Sequence, residues 1–504
     1  MKHILAIDMG TSHCKAVVIN LKGEVVNKWQ VNSPVISDEP GQHEQDANVL
    51  FERIMGLIKK AFEEDKDTLI SCVCFSAAMH GLMAVDASGK PLTNIITWAD
   101  TRSDDYAAAL LEKGIASKIY ERTGPPIHSM TPLCKLLWLS AEKKEIFDKA
   151  YKFISLKEYI FYKLFNKYII DYSVASATGL FDVYDKAWNK DALEVTGVSE
   201  ERLSTPVEVT HAETSLLPEY KTMFALTRDV PFIVGASDGA LANLGCGAID
   251  KNKLALTIGT SGAVRVVADK PVVRSLNTTF NYLLTANHYV IGGPTNNGGN
   301  TLQWFVENIM NDNSREGFDK ALKLAATIPV GADGLLFLPY IYGERAPIWN
   351  AKARGAFIGL TSRHNNRHMA RAVVEAICLA LYDVFSSMNT IKDDIDVVYA
   401  SGGFTQSEFW LQMVADIFGK KVVVDDVADA SAIGAAMIGM YSTGLIKDIA
   451  ETKELLSIGK EYFPVESNHN KYRQIFPLYK SLYQSLKEGF TKISSLNKVL
   501  NDVK

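Results

Sequence analysis

A Gly-Thr-Ser turn occurs twice in this chain, each time between apolar, β-branched runs. The first copy is Ile7-Asp8-Met9-Gly10-Thr11-Ser12-His13-Cys14-Lys15-Ala16-Val17-Val18. The second is Thr257-Ile258-Gly259-Thr260-Ser261-Gly262-Ala263-Val264-Arg265-Val266-Val267. Each predicts a β-hairpin whose tight turn exposes backbone N–H groups and two hydroxyls. Successive N–H groups at such a turn form a concavity for an anion. Two copies about half the chain apart point to duplicated halves that grip a nucleotide's phosphates from both sides. Asp8 precedes the first turn. A carboxylate there repels phosphate unless a cation lies between them, and Mg²⁺ suits the place because it keeps much of its water. The other reading is a turn-initiating Asp bonded to its own backbone. Thr257 stands at the matching place in the second copy, which argues for one metal for the pair.

Asp238 is the second candidate. The run Pro231–Gly235 predicts a strand, and a small-residue helix starts near Asp238. A carboxylate there either caps the helix or takes a proton from a hydroxyl that attacks phosphorus. Ser401-Gly402-Gly403-Phe404-Thr405-Gln406-Ser407 joins a strand (397–400) to a helix (408–418), a corner that lets a flat or phosphorylated ligand approach the backbone. A second ligand is suggested by Ser76-Ala77-Ala78-Met79-His80-Gly81 and by Trp98-Ala99-Asp100-Thr101-Arg102. Aromatic and Met surfaces for C–H faces, with charged groups for hydroxyls, suit a polyol. His80 read alone is equally a core histidine, and Arg102 one arm of a structural ion pair.

These residues need elements to hold them. Strands at 4–7, 16–19 and 25–31, a helix over 46–63 and a buried strand over 70–75 give a β-β-β-α-β order. It recurs as strands at 254–258, 263–267 and 289–292, followed by Gly298-Gly299 and a helix over 301–309. Between the two, helices fall at 133–139 and 158–165, and 451–504 reads as an amphipathic closing helix. The fold class is α/β, with a mixed sheet flanked by helices in each half. The 504 residues exceed one core. A net charge of −5 gives no field for a nucleic acid. No apolar run suits a membrane span, and the start of the chain lacks a secretion pattern. Six scattered cysteines read as reduced thiols of a cytoplasmic protein.

The combination resembles the FGGY carbohydrate kinases of the sugar kinase/actin superfamily. The most specific segment is Gly355-Ala356-Phe357-Ile358-Gly359-Leu360, then seven residues, then His368-Met369-Ala370-Arg371-Ala372-Val373-Val374-Glu375. Gly343–Pro347 and Met130–Leu139 are also typical, although Ser140-Ala141-Glu142 departs slightly from the usual pattern. The resemblance implies two actin-like (ribonuclease H-like) lobes, residues 1–248 and 249–504, with an active-site cleft between them. It implies ATP and Mg²⁺ as cofactors and a small sugar or sugar acid as acceptor, and it leaves room for a homodimer. By position it makes Asp8 the metal-linked aspartate and Asp238 the general base. Gly10, Thr11, Ser12, Lys15, Gly259 and Thr260 fall at the phosphates. Gly299 and Gln303 fall in the nucleotide loop, and Gly402, Gly403 and Gln406 at the adenosine. Met79, His80, Trp98, Asp100 and Arg102 fall on the sugar side. Thr123-Gly124-Pro125-Pro126-Ile127-His128-Ser129-Met130-Thr131-Pro132 is similar to the gluconate kinase subgroup, and Ala78 replaces the Gln usual in xylulose kinases. D-Gluconate is therefore the expected acceptor, with His128, Arg102, His80 and Lys135 as candidate partners for its carboxylate. D-Xylulose or another polyol is the alternative.

Overall fold

The computed structural model describes residues 2–64, 69–272, 276–388, 394–424, 429–455 and 459–501. It divides into two units. The first comprises Met1–Ile249, Val267–Ile291 and Asp429–Leu456; the second comprises Asp250–Val266, Gly292–Ala428 and Ser457–Lys504.

A six-stranded mixed sheet forms the first unit. Its order is Ala212–Glu213, Phe232–Ser237, Leu69–Ala77, Lys2–Met9, His13–Asn20 and Val25–Asn32. The three N-terminal strands are antiparallel, whereas Leu69–Ala77 runs parallel to both Lys2–Met9 and Phe232–Ser237. Helix Ala47–Glu64 covers one face with Leu50, Phe51, Ile54 and Ile58, all buried at its 3.6-residue period. Val49, expected on that face, is exposed. Leu5, Ile7, Val18, Val73 and Phe75 complete this core. On the sheet also pack Asp238–Gly245 and Ala430–Ser442, two helices that cross closely. A Cβ on Gly434 would stand 2.1 Å from the Leu241 carbonyl, and one on Gly245 1.9 Å from that of Ala430. Only glycine permits this approach, and it brings residues near 430 to the start of the chain.

In the second unit the strands Gly262–Ala268, Lys253–Ile258, Val397–Ser401, Lys421–Val424 and Glu461–Tyr462 lie side by side in that order. The Lys253–Ile258/Gly262–Ala268 hairpin repeats that of the N-terminus, and Val397–Ser401 runs parallel to Lys253–Ile258. Strand Phe280–Thr285, which the sequence reading lacked, belongs to the first unit. The family-like segment is structural. Ala356–Ile358 pairs with Leu336–Leu338. In helix Asn366–Ser387, Arg371 Nε donates to Glu375 at 2.7 Å and Nη2 to the Tyr472 hydroxyl at 2.9 Å. Tyr472 belongs to the long closing helix Glu466–Asn501, which starts later than the expected 451 because Glu461–Tyr462 pairs as an edge strand; residues 456–458 and 502–504 of the expected helix lie outside the described residues.

Candidate functional site

In the first unit, three adjacent parallel strands deliver their chemistry at their carboxyl ends, where open α/β sheets bind ligands. Asp8 lies opposite Ser76, Met9 opposite Ala77, and Ser237 opposite Ala77. Asp238 follows as the first residue of its helix, with Ser237 as N-cap. Its Oδ1 accepts from the Gly239 N–H at 2.6 Å.

Asp8 is 6 % exposed. Its two oxygens accept from Ser76 Oγ at 2.7 Å and Ser431 Oγ at 2.9 Å. Burial pushes its carboxyl above the ordinary range, against the two hydroxyls and Lys15. Lys15 Nζ lies 2.9 Å from Asp429 Oδ1, and Lys28 Nζ 2.6 Å from Oδ2. Burial opposes the Asp429 charge, but Lys28 and Lys15 outweigh it and hold the carboxyl below its usual value. No group of three or more acidic, His or Cys side chains among the described residues forms a metal cage. One fixed carboxylate nevertheless fits Mg²⁺, which is commonly held by one or two carboxylates with water and substrate phosphate.

The first Gly-Thr-Ser turn is braced from several directions. Trp98 Nε1 donates to Thr11 Oγ1 at 3.0 Å, Gln45 Nε2 to the Thr11 carbonyl at 2.8 Å and Ser33 Oγ to the Gly10 carbonyl at 3.1 Å. Ser12 is exposed. A narrow cavity beside this turn is lined by Gly10, Thr11, Gln45, Met79, Thr97, Trp98 and Lys157 among others. Of the residues expected on the sugar side, Met79 and Trp98 face it. His80 lies between the lining residues Met79 and Gly81 but does not line the cavity. Its backbone is left-handed at φ 68°, its Nδ1 bonds the Ala177 carbonyl at 2.7 Å, and its Nε2 lies 3.3 Å from the Tyr282 hydroxyl. Lys135 Nζ donates to the His80 carbonyl at 2.5 Å and to that of Ile96 at 3.1 Å. Burial lowers the Lys135 pKa to about 7.

Asp100 and Arg102 form a separate cluster. Arg102 Nε donates to both Asp100 oxygens at 3.1 and 3.0 Å, and Nη2 to Asp100 and Glu44. The guanidinium stacks 4.5 Å above the Trp138 ring. Arg102 lines a cavity of about 500 Å³ with Glu44 and Trp138, a different space from that of Met79. His128 is half-buried, and its Nδ1 accepts from the Met130 N–H at 3.1 Å; it lines neither cavity.

The second unit holds a cavity of about 480 Å³ lined by Gly259, Thr260, Gly299, Asn300, Gln303, Gly403, Phe404 and Trp410 among others. Helix Gly299–Asn308 starts on the second Gly-Thr-Ser turn: the Gly299 N–H donates to the Gly259 carbonyl at 2.7 Å and Asn300 N–H to that of Thr260 at 3.1 Å. A Cβ on Gly298 would stand 2.6 Å from Ser261. Gly402, at φ 103° and ψ 178°, adopts a conformation that is essentially glycine's alone. Its Cα faces the Ile258 carbonyl, which a Cβ would meet at 2.4 Å. Gly402 and Gln406 are exposed and flank the cavity's Gly403-Phe404. Gln303 Nε2 donates to Glu307 at 2.5 Å.

The comparisons with known proteins agree with this geometry. The model for the FGGY family of carbohydrate kinases matches with its N-terminal domain at residues 3–245 and its C-terminal domain at 254–443. The chain belongs to the FGGY family of carbohydrate kinases. It is thus a phosphotransferase with an alcohol acceptor. A gluconokinase from Bacillus subtilis (strain 168) is 39 % identical over 506 residues, covering 99 % of each chain. A xylulose kinase from Staphylococcus epidermidis (strain ATCC 12228 / FDA PCI 1200) is 31 % identical over 96 % of this chain and 97 % of its own. The crystal structure of gluconate kinase from Lactobacillus acidophilus superposes with a TM-score of 0.94 at 34 % identity, over 98 % of this FGGY chain and 99 % of that one. A ligand-bound xylulose kinase from the same organism also gives 0.94 and 34 %, over 98 % and 100 %. The two-lobed actin-like fold follows from these superpositions.

Several residues of the candidate site escaped the sequence reading: Gln45, Thr97, Lys157, Asp429 and Ser431. Lys157 carried a signal, a lysine inside the apolar run Phe153–Ile160. Asp429 and Ser431 carried none, since they meet Lys15 and Asp8 from more than 400 positions away.

Proposed function

We propose that the chain is a D-gluconate kinase, transferring the γ-phosphoryl group of ATP to the terminal hydroxyl of D-gluconate to give 6-phospho-D-gluconate. Asp238, opening a helix at the carboxyl end of a strand beside the Met79 segment, carries the chemical reading. The margin between 39 % identity to gluconokinases and 29–31 % to Bacillus and Staphylococcus epidermidis xylulose kinases supports the acceptor.

In this reading the second unit takes the nucleotide. Thr260 receives phosphate oxygens beside Gly259 and Gly299, whose own N–H groups bond within the turn and leave room for the phosphates, while Gln303, Gly402, Gly403 and Gln406 border the adenosine. The turn Gly10-Thr11-Ser12 and Lys15 serve the transferred phosphate. Met79 and Trp98 present apolar surface to the acceptor. Asp100, Arg102, His80 and His128 remain the candidates for the acceptor's polar groups, with polar atoms that also bond within the protein. Asp238 accepts the hydroxyl proton as the oxygen attacks phosphorus. Mg²⁺ would be held through Asp8 and would neutralise charge on the phosphates. Backbone N–H groups of the turns stabilise the charge that develops on the transferred group. The cytoplasm suits six buried cysteine thiols, and no helix among the described residues is long and apolar enough to cross a membrane.

Asp238→Asn keeps the size and the helix-start geometry while removing the base. Turnover should fall by about 10²- to 10⁴-fold, with KM for ATP changed little. Wild-type turnover by a folded Asp238→Asn protein refutes the assignment.

A further inference from the structure

Lys157 is the second residue of helix Leu156–Phe165 and is 2 % exposed. Its Nζ lies 2.6 Å from Asp171 Oδ2, itself fully buried, and donates to the Ala236 carbonyl at 3.2 Å. An ammonium has three N–H donors. Among the described residues its hydrogen-bond acceptor is the Ala236 carbonyl and its ion-pair partner the Asp171 carboxylate, so at least one N–H has no protein partner. Buried donors are nearly always matched, and an unmatched one calls for an explanation. This one belongs to a residue that lines the narrow cavity of Thr11, Met79 and Trp98.

The surroundings fix the lysine relative to Asp238. Ala236 is two residues before Asp238 on the same strand end. Asp171 caps helix Tyr172–Ser176 by accepting from the Val174 N–H at 2.9 Å. From that helix Ser173 Oγ accepts from the Ser237 N–H at 3.2 Å and lies 2.9 Å from Ser237 Oγ. One helix end therefore grips both the lysine and the strand that presents Asp238. Rigid placement of this kind is what an oriented binding group needs.

We propose that Lys157 is an acceptor-binding residue whose unmatched N–H donates to an oxygen of the phosphoryl acceptor. The assignment rests on the kinase reading and names a residue that reading did not include. Asp171 keeps the ammonium paired in a buried place, and the acceptor oxygen completes its coordination.

Lys157→Met alone would leave Asp171 buried and unpaired, a strongly destabilising change. Asp171→Asn alone would in turn leave the Lys157 ammonium buried and unpaired, so the test compares wild type with Lys157→Met/Asp171→Asn. Asparagine preserves the helix cap, and the double variant carries no buried charge at the pair. Relative to wild type, the double variant should raise KM for D-gluconate by about 10- to 100-fold, the worth of a hydrogen bond to a charged group. KM for ATP should stay within about twofold, since uniform binding of the other substrate is untouched. Competition by D-glucitol, the neutral counterpart of gluconate, separates the two kinds of oxygen. An equal loss for both ligands places the contact on a hydroxyl, and a loss confined to gluconate places it on the carboxylate; either supports the assignment. Equal gluconate KM in wild type and the folded double variant overturns it, since a lysine satisfied by water or serving only the fold gives that result. Failure of the kinase reading shows separately, as wild-type protein without acceptor-dependent ATP consumption.

Discussion

Replacing Lys135 with methionine should cost much more stability at about pH 9 than at about pH 6. Lys135 is 1 % exposed, and its ammonium faces two backbone carbonyls. Burial lowers its pKa from 10.5 to about 7, with the Asp100 charge only partly opposing. Between these two values the unfolded chain holds a proton that the folded chain has released. Wild-type stability therefore rises with pH through that window and is flat below it, where both states are protonated. Single-proton linkage with these two pKa values gives a gain of about 3 kcal/mol between pH 6 and pH 9. Methionine carries no such proton, but it leaves the buried His80 carbonyl without its donor, at about 1–3 kcal/mol. The stability deficit of Lys135→Met should accordingly grow by about 3 kcal/mol from pH 6 to pH 9. Urea unfolding of both proteins at the two pH values measures it. A deficit independent of pH would refute the reasoning, because it would mean that Lys135 stays charged in the folded protein throughout.

Two further outcomes follow from the second unit. Gly402→Ala places a Cβ 2.4 Å from the Ile258 carbonyl in a backbone conformation that costs other residues about 1–3 kcal/mol; KM for ATP should rise about tenfold or more while KM for gluconate is retained, and steady-state kinetics with each substrate varied checks it. Arg371→Leu leaves Glu375 buried without its ion-pair partner and should cost about 3–5 kcal/mol in denaturant unfolding, with the KM values of the surviving folded enzyme near wild type.

The two hairpins were legible because a Gly-Thr-Ser turn between β-branched runs is a local pattern, and Asp8 and Asp238 sit at strand ends that continuous apolar runs and small residues announce. The strand-to-helix corner at Gly402 was legible for the same reason. Side-chain partnership was not. Arg102 reads as a candidate for an acceptor carboxylate, but its bonds to Glu44, 58 positions away, and to Asp100 are visible only in the structure. Lys15 meets Asp429 and Asp8 meets Ser431 only because Gly245 and Gly434 let two helices cross closely in the first unit. The signature Gly355–Glu375 marked the family, but its Arg371–Glu375–Tyr472 network ties helices together rather than lining any of the three described cavities. Val49 kept helical spacing yet faces solvent, since period alone does not fix how wide the buried stripe is.

The central claim is the transfer of phosphate from ATP to D-gluconate. A coupled ATP-consumption assay on the purified protein with Mg²⁺, offering D-gluconate, D-xylulose, L-ribulose and glycerol in turn, tests it most directly. The account predicts strong turnover with gluconate and little with the other three. Preference for D-xylulose would contradict the acceptor assignment, and ATP consumption indifferent to every acceptor would contradict the proposed reaction itself.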